Sequence, residues 1–327
     1  MNQLYPLKFT PLYQERVWGG GRMHIFLNKP ECTSGRCGES WELSGVEGYV
    51  SVVSNGFLEG NDLQELIEIY MGELVGDRVY EQFGFEFPLL IKFIDALDDL
   101  SIQVHPGDQL AMERHNAFGK TEMWFVLYAD PGARLISGFN QPVDRDKYLQ
   151  YLNSGRLTEL LHSEEVKAGD VFYIPAGRVH AIGKGIILAE IQQTSDITYR
   201  IYDYNRTESD GNLRELHTGL ALDAIGFTTE TEYKTHYHTV RNKTAEIIES
   251  PYFCTNIIEF DQTLIKDISH IDSFVIYICI DGDCEISWEE GSETVRKGET
   301  ILVPASLVEY QLRPVSTLVK LLEVHIP

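Results

Sequence analysis

The stretch that decides the fold is Lys167-Ala-Gly-Asp-Val-Phe-Tyr-Ile-Pro-Ala-Gly-Arg-Val-His180, because a similar stretch follows later in the chain. The later copy is Arg296-Lys-Gly-Glu-Thr-Ile-Leu-Val-Pro-Ala-Ser-Leu-Val-Glu309, and each of its residues lies 129 positions after its counterpart. Both copies read as a turn, a strand, a turn at proline and a second strand, which is typical of a jelly-roll hairpin. The repeat predicts two copies of one β unit, with Glu309 in the place of His180.

The rest of the chain has the same character. Short segments rich in β-branched and aromatic residues lie between turn-forming residues, at 101–104, 123–128, 170–174, 185–191, 274–280 and 300–303. Apolar spacing predicts a helix from residue 63 to 74 behind a cap at Asn61 or Asp62, and a second, broken helical stretch over 149–161. We therefore expect a mainly antiparallel β protein with a few helices.

The first copy of the repeat also resembles the second sequence motif of the cupin superfamily. This resemblance implies a mainly β fold of two cupin (jelly-roll β-barrel) domains, of which the second is degenerate because it has Glu309 instead of His180. A polar stretch at 226–244 predicts the connection between them. We expect a catalytic, metal-binding cupin domain with an N-terminal helical insertion over residues 1–235, and a degenerate cupin domain over 236–327.

Composition limits the partners and the location. The chain has 327 residues and a formal net charge of −23, which repels nucleic acid and anionic membranes. No apolar run approaches the roughly 20 residues of a membrane helix, and the N-terminus lacks a signal-peptide core. The five cysteines are an odd number, which favours reduced thiols. These features predict a cytoplasmic protein with no nucleic-acid or membrane partner.

Four residues form a candidate metal site. Gln103 and His105 share one face of a predicted strand, at roughly 7 Å between Cα atoms, a separation that suits two ligands of one ion. Glu122 opens the next apolar strand, where a buried carboxylate is costly without a cation, and His180 ends the first copy of the repeat. This set of nitrogen and oxygen donors without thiolate fits zinc in a catalytic site, and also manganese, cobalt or iron.

The chain resembles the type I phosphomannose (mannose-6-phosphate) isomerases, which are zinc-dependent cupins. Six strings carry the resemblance, in family order: Trp18-Gly19, Gly38-Glu-Ser-Trp41, Leu100-Ser-Ile-Gln-Val-His-Pro106, Gly119-Lys-Thr-Glu122, Pro175-Ala-Gly-Arg-Val-His-Ala181 and Ser195-Asp-Ile-Thr-Tyr-Arg200. The resemblance implies an isomerase of carbohydrate metabolism that interconverts mannose 6-phosphate and fructose 6-phosphate through an enediol(ate). It implies one zinc ion per chain and a sugar phosphate as the small-molecule partner.

The resemblance also assigns roles to individual residues. It implies that Gln103, His105, Glu122 and His180 ligate the zinc, that Arg200 is the active-site arginine, and that Lys120 and Ser101 line the substrate pocket. Arg200 stays protonated and can hold either the enediolate or the phosphate, while Lys120 adds a point charge. The proton carrier stays open among Lys120, Glu190 and a metal-bound water.

The chain departs from the longer family members in one respect. Only 57 residues separate Glu122 from His180, so the helical insertion found there in long members is missing and the chain resembles the short bacterial form. The residues that the insertion supplies to the substrate phosphate cannot be carried over. We expect Lys184, four residues after His180, to bind the phosphate instead.

Two other functions remain as alternatives. An iron-dependent cupin oxygenase would use His105, Glu122 and His180 as two histidines and one carboxylate, and would leave Gln103 out. A non-catalytic sugar-binding cupin would account for the degenerate second copy. Exposed strand edges would also allow an oligomer, although one sequence does not show it.

Overall fold

Two β-barrels pack side by side in this protein, and a computed structural model describes residues 3–29, 35–207 and 211–327. In the first barrel, a seven-stranded sheet has the spatial order β13-β9-β6-β11-β4-β2-β3. Its strands are β2 (Leu12–Gly20), β3 (Cys37–Leu43), β4 (Leu89–Ala96), β6 (Glu122–Ala129), β9 (Val171–Ile174), β11 (Ile186–Gln193) and β13 (Lys234–Thr235).

A five-stranded sheet, in the order β12-β5-β10-β7-β8, forms the other wall of this barrel. Its strands are β5 (Ile102–Val104), β7 (Arg134–Phe139), β8 (Leu161–Glu165), β10 (His180–Ala181) and β12 (Tyr199–Tyr202). All pairings in both sheets are antiparallel, as the sequence predicts.

The second barrel consists of a six-stranded sheet, β1-β20-β17-β22-β15-β14, and a four-stranded sheet, β16-β21-β18-β19. The strands of the larger sheet are β1 (Leu7–Lys8), β14 (Lys243–Glu249), β15 (Cys254–Phe260), β17 (Val275–Asp281), β20 (Thr300–Val303) and β22 (Val319–His325). Those of the smaller sheet are β16 (Leu264–Asp267), β18 (Asp283–Trp288), β19 (Gly291–Arg296) and β21 (Glu309–Pro314). Strands β9 and β20 occupy matching places in the two copies of the repeat, so the expected duplication is confirmed.

Helices fill the connections between strands. They are α1 (Met23–Phe26), α2 (Leu63–Tyr70), α3 (Gly72–Val75), α4 (Asp77–Phe83), α5 (Asp108–His115), α6 (Arg145–Asn153) and α7 (Thr218–Ala224), with 3-10 turns at Gly56–Leu58 and Leu157–Leu160. Asp62 caps α2 by accepting the backbone N–H of Glu65 at 2.8 Å. The predicted helix over 63–74 is interrupted at Met71, whose φ of 48° lies in the left-handed region. The broken pattern over 149–161 corresponds to the end of α6 and the following 3-10 turn.

Alternation along the strands divides the core into layers. On β11, Ile187, Ala189 and Ile191 face a large apolar cluster shared with the second barrel. Leu188 lies on the opposite side, in the apolar interior of the first barrel. Residues of even number on β11, which include Glu190, therefore point into the first barrel.

The pairings of β1, β13 and β14 show which barrel each of these chain segments joins, and so they relate to the predicted domain division. Strand β13 pairs with β9 of the first barrel, and β14 begins the second barrel, in agreement with a boundary near residue 235. Strand β1, however, pairs with β20, so residues from the N-terminal end complete the second barrel. The division at residue 235 stays a prediction.

The expectation of reduced cysteines holds for Cys254, Cys279 and Cys284, which are free thiols. It is wrong for Cys37, which is disulfide-bonded, and Cys32 lies outside the described residues. Over the described ranges, every helix is too short or too polar to span a bilayer. The cytoplasmic location stays a prediction.

Candidate metal centre and active site

Three side chains converge inside the first barrel, one from the residue after β5, one from the start of β6 and one from the start of β10. The ligand atoms of His105, Glu122 and His180 all lie within 4.8 Å of one another. Nε2 of His105 lies 3.5 Å from Glu122 Oε2, and Nε2 of His180 lies 3.4 Å from Oε1. All three residues are buried, and they form the one such group of potential metal ligands in the part of the chain that the structure describes.

The alternation of β5 brings Gln103 to the same place. Ile102 and Val104 point outward into an apolar cluster beneath α6 and α7, so Gln103 points into the barrel. Gln103 lies directly opposite His180 on β10, and its Nε2 is 3.3 Å from His180 Nε2. A half-turn of this amide about χ3 presents Oε1 to the group of ligands. Ser101 lies 3.5 Å from the same amide, Oγ to Oε1.

Backbone carbonyls orient both imidazoles. Nδ1 of His105 lies 2.8 Å from the carbonyl oxygen of Ile197, and Nδ1 of His180 lies 2.8 Å from that of Arg178. A carbonyl oxygen only accepts, so each Nδ1 carries the proton and each Nε2 presents a lone pair to the centre. Burial lowers the pKa of His180 to about 4 and the pKa of His105 well below its usual range. Both rings are therefore neutral, the form that binds metals.

The carboxylate of Glu122 is in surroundings that suit a cation. Neither of its buried carboxylate oxygens receives a hydrogen bond from the described residues, although Lys120 Nζ lies 3.2 Å from Oε2. Burial raises the pKa of this carboxyl group, against the lowering effect of Lys120. A buried carboxylate that lies between two neutral imidazoles and accepts no hydrogen bond fits a divalent cation, and the absence of thiolate from the group agrees with a catalytic zinc site.

Lys120 completes the centre. Its Nζ lies 3.3 Å from His105 Nε2 as well as near Glu122. Burial alone lowers the pKa of this lysine, but Glu122 and Glu190 raise it above its usual value. The side chain is therefore a buried ammonium group beside the metal ligands.

A second buried ion pair, which the sequence analysis missed, joins the neighbouring strands β4 and β11 inside the same barrel. Lys92 on β4 is opposite Glu190 on β11, and its Nζ contacts Glu190 Oε1 at 3.0 Å and Gln192 Oε1 at 2.8 Å. Trp124 Nε1 donates to the other carboxylate oxygen of Glu190 at 3.0 Å. Despite burial, these partners lower the pKa of Glu190 well below its ordinary value. One lysine within the apolar run Leu89–Ala96 is the signal that could have indicated this pair.

Arg200 lies at the edge of the same wall. It is directly opposite Gln103 in the pairing of β12 with β5, so the two side chains leave the same face of the sheet. Its Nη1 donates to the carbonyl oxygen of Glu215 at 2.8 Å, and the residue is partly exposed. The guanidinium is therefore at the margin of the site rather than in contact with the triad.

The structure does not bring Lys184 to the metal ligands. Ile182, which lies between His180 and Lys184, is buried with Leu100 in the apolar interior of the barrel. Lys184 lines a separate cavity of about 440 Å³, together with Arg134. This position beyond the apolar layer does not support the predicted contact with substrate phosphate.

Comparisons with known proteins agree with this architecture. The chain matches the phosphomannose isomerase type I catalytic domain over residues 6–122 and the mannose-6-phosphate isomerase cupin domain over 242–322. It is 36% identical over 313 residues to mannose-6-phosphate isomerase ManA of Bacillus subtilis, with 94% of this chain and 95% of the relative covered. It is 32% identical over 307 residues to mannose-6-phosphate isomerase of Streptococcus mutans, with 94% of each protein covered.

Solved structures show the same likeness. The crystal structure of mannose 6-phosphate isomerase from Bacillus subtilis superposes with a TM-score of 0.88 at 30% identity, covering 99% of this chain and 100% of that one. A variant of phosphomannose isomerase from Salmonella typhimurium superposes with a TM-score of 0.79 at 16% identity, which shows the fold alone. The relatives match nearly the whole chain, across both barrels, and so the chain belongs to the type I phosphomannose isomerase family.

Proposed function

We propose that this protein interconverts mannose 6-phosphate and fructose 6-phosphate, using one zinc ion per chain held by Gln103, His105, Glu122 and His180. The observation that carries the proposal is the pair of unbonded Glu122 oxygens, buried between two neutral imidazoles. The names of the relatives support the substrates, and the donor set supports the metal.

The chemistry requires stabilisation of negative charge on oxygen. Moving a proton between C1 and C2 passes through an enediol(ate), in which charge develops on the sugar oxygens. A bound divalent cation supplies a Lewis acid for these oxygens. Three neutral ligands and one carboxylate leave a site charge near +1, whereas additional carboxylate ligands would weaken this effect.

The protein's own cations act at two places. Lys120 is protonated and points into the ligand group, where it can donate its proton to the sugar oxygen that becomes negative. Arg200 offers a planar pair of donors at the margin, which suits either the enediolate oxygens or the phosphate.

Glu190 is better placed to position its neighbours than to carry a proton. Lys92 and Trp124 each donate to one of its oxygens, and its pKa is lowered, so it stays ionised and holds both donors. Of the two candidate side chains, Lys120 is therefore the one we assign to protonation of the developing sugar oxygen, a role that does not include removing the proton from carbon, and Glu190 is a positioning residue.

The test is conversion of mannose 6-phosphate to fructose 6-phosphate by metal-stripped protein and by protein reloaded with zinc, manganese, cobalt or ferrous iron. We expect zinc to restore turnover in the wild type, and little turnover in His105→Ala or Lys120→Met. Lys184→Met is the matched control, because it removes a lysine outside the site, and its kcat and KM should equal those of the wild type.

Two outcomes would support the alternatives instead. Oxygen consumption with ferrous iron, without isomerisation, would indicate an oxygenase. Sugar binding without turnover in any metal-loaded form would indicate a non-catalytic cupin.

A further inference from the structure

The second barrel has its own polar cavity, of about 480 Å³, that the proposed reaction does not use. Its lining includes four groups that are cationic or can become so, Arg78, Lys266, His270 and His325, together with the buried carboxylate of Glu323. In a chain of net charge −23, such a concentration of basic groups is unexpected from composition.

Strand pairing shows that Glu323, in the lining of this cavity, is the counterpart of Glu190 in the first barrel. In the first barrel, Glu190 lies opposite one residue on each neighbouring strand, Trp124 and Lys92, and accepts a hydrogen bond from both. In the second barrel, Glu323 occupies the same position and accepts from its own opposite residues, Tyr277 at 2.7 Å and Asn256 at 3.1 Å. Both barrels therefore keep a buried glutamate at the same point of the sheet.

The metal ligands themselves are replaced. His180 and Gln103 pair on neighbouring strands and point into the first barrel, whereas the residues at the matching positions of the second barrel, Glu309 and Asp267, pair with each other but are exposed. The counterpart of Glu122 is Val275, at the start of the strand that pairs with the repeated segment. The second barrel thus keeps the buried glutamate but lacks the inward-pointing residues that would bind a metal in the first barrel.

Three acidic side chains around this cavity, those of Glu323, Asp267 and Asp272, already have donors. Besides Tyr277 and Asn256, the ammonium group of Lys266 contacts Glu323. The carboxylate of Asp267 accepts the backbone N–H of Ser269 at 2.9 Å. At the rim, the Asp272 carboxylate accepts the backbone N–H groups of Asp77 and Arg78 at 2.8 and 3.0 Å.

Several of the basic groups, in contrast, have no hydrogen-bond or ion-pair partner in the protein. Within the described ranges, Arg78 and His270 are exposed and their side chains take part in no hydrogen bond or ion pair with other protein groups, whereas Nδ1 of His325 is buried without a partner. Burial, followed by the nearby charges of Lys266, His270 and Arg78, lowers the pKa of His325 against the opposing effect of Glu323. The unused polar groups in the cavity are thus mainly donors.

We propose that this cavity binds a small oxyanion, either free phosphate or the phosphate group of a metabolite, through Arg78, His270 and His325, with Lys266 held in place by Glu323. Arg78 belongs to α4, one of the helices between β3 and β4 of the first barrel. The other residues belong to the second barrel. A bound anion would therefore link these two parts of the protein, and the proposal does not depend on the chemistry of the first barrel.

The experiment uses inorganic phosphate as the probe and the zinc-loaded, full-length protein. The imidazole C–H resonances of His270 and His325, assigned with His270→Gln and His325→Asn, are followed by NMR at constant ionic strength. We expect a saturable shift of both resonances with phosphate, no such shift with chloride, and at least a tenfold weaker affinity in Arg78→Gln. Arg313→Gln, which removes an exposed arginine elsewhere on the second barrel, is the matched control and should bind like the wild type.

Three results would overturn the proposal. Chloride at equal ionic strength could produce the same shift, Arg78→Gln could bind phosphate as tightly as Arg313→Gln, or the shift could disappear in Arg200→Ala, which would place the anion in the first barrel. A shift that competes with a sugar phosphate would identify a metabolite's phosphate as a ligand, whereas a shift with inorganic phosphate alone would identify the free anion.

Discussion

Replacing Lys92 with methionine tests whether a buried ion pair keeps Glu190 ionised beside the proposed metal ligands. Lys92 is only 5% exposed, and its ammonium group has two buried partners, Glu190 and Gln192. Methionine preserves most of the side-chain length, so the main effect is an uncompensated carboxylate. Removing one partner of a buried pair costs about 3–5 kcal/mol, and we expect a loss of this size in the free energy of unfolding.

The measurement is urea denaturation of the zinc-loaded protein, followed by circular dichroism at pH 7. The double variant Lys92→Met with Glu190→Gln should recover at least half of the loss, since it removes the unpaired charge together with its partner. A loss below about 1 kcal/mol in the single variant, or a double variant less stable than the single one, would refute the ion-pair argument.

The pH dependence of the free energy of unfolding gives an independent test of the same ion pair. In the wild type, Glu190 has a pKa below its ordinary value of 4.5, so its contribution to stability is present above pH 4.5 and is lost as the pH falls toward the folded-state pKa. Without Lys92, burial raises this pKa above 4.5, and the folded state then takes up the proton first. The stability difference between the variant and the wild type should therefore shrink between pH 7 and pH 5, and a difference that grows would contradict this account.

Four further outcomes follow from single contacts. His105→Ala should lose its bound metal, measured as metal content by mass spectrometry, while the circular dichroism spectrum stays unchanged. Asp62→Ala removes the cap of α2 and should cost about 1 kcal/mol in urea denaturation without altering kcat/KM. Gly138→Ala should lower Tm, because Gly138 has a φ of 71° and its added Cβ would lie 2.4 Å from the ring of Tyr233. Tyr277→Phe removes the hydroxyl donor to Glu323 and should cost about 1.5–3 kcal/mol, whereas an unchanged Tm would show that this carboxylate does not need it.

The sequence could predict the features that depend on neighbouring residues, such as strand positions, the faces of a strand and a helix cap. The repeat located β9 and β20, and alternation along β5 placed Gln103 and His105 on one face. The donor atoms and spacing of four residues predict the candidate metal site, and the resemblance to the family implies that they are zinc ligands. Asp62 was one of two capping candidates, and the capping bond to Glu65 decides between them.

What the sequence could not show depends on register between distant strands. Lys92 pairs with Glu190 because β4 and β11 align at that point, and no local pattern fixes the alignment of segments about a hundred residues apart. Strand β1 joins the second barrel for the same reason, since its two residues pair with β20 near the other end of the chain. Lys184 lies close to His180 in sequence, yet the apolar layer containing Ile182 separates them in space.

A chain with net charge −23 that acts on an anionic sugar phosphate has to create positive potential locally. Exposed charges are screened within about 8–10 Å by salt, whereas buried charges are screened much less. Lys92 and Lys120 are both buried in the first barrel, close to the ligand group, so they can outweigh the more distant acidic surface. Each is next to a buried carboxylate that keeps it protonated and in place, and that carboxylate in turn reduces the potential it provides. The proposed metal would resolve this conflict at Glu122, because a cation bound to this carboxylate would leave the charge of Lys120 available to the substrate.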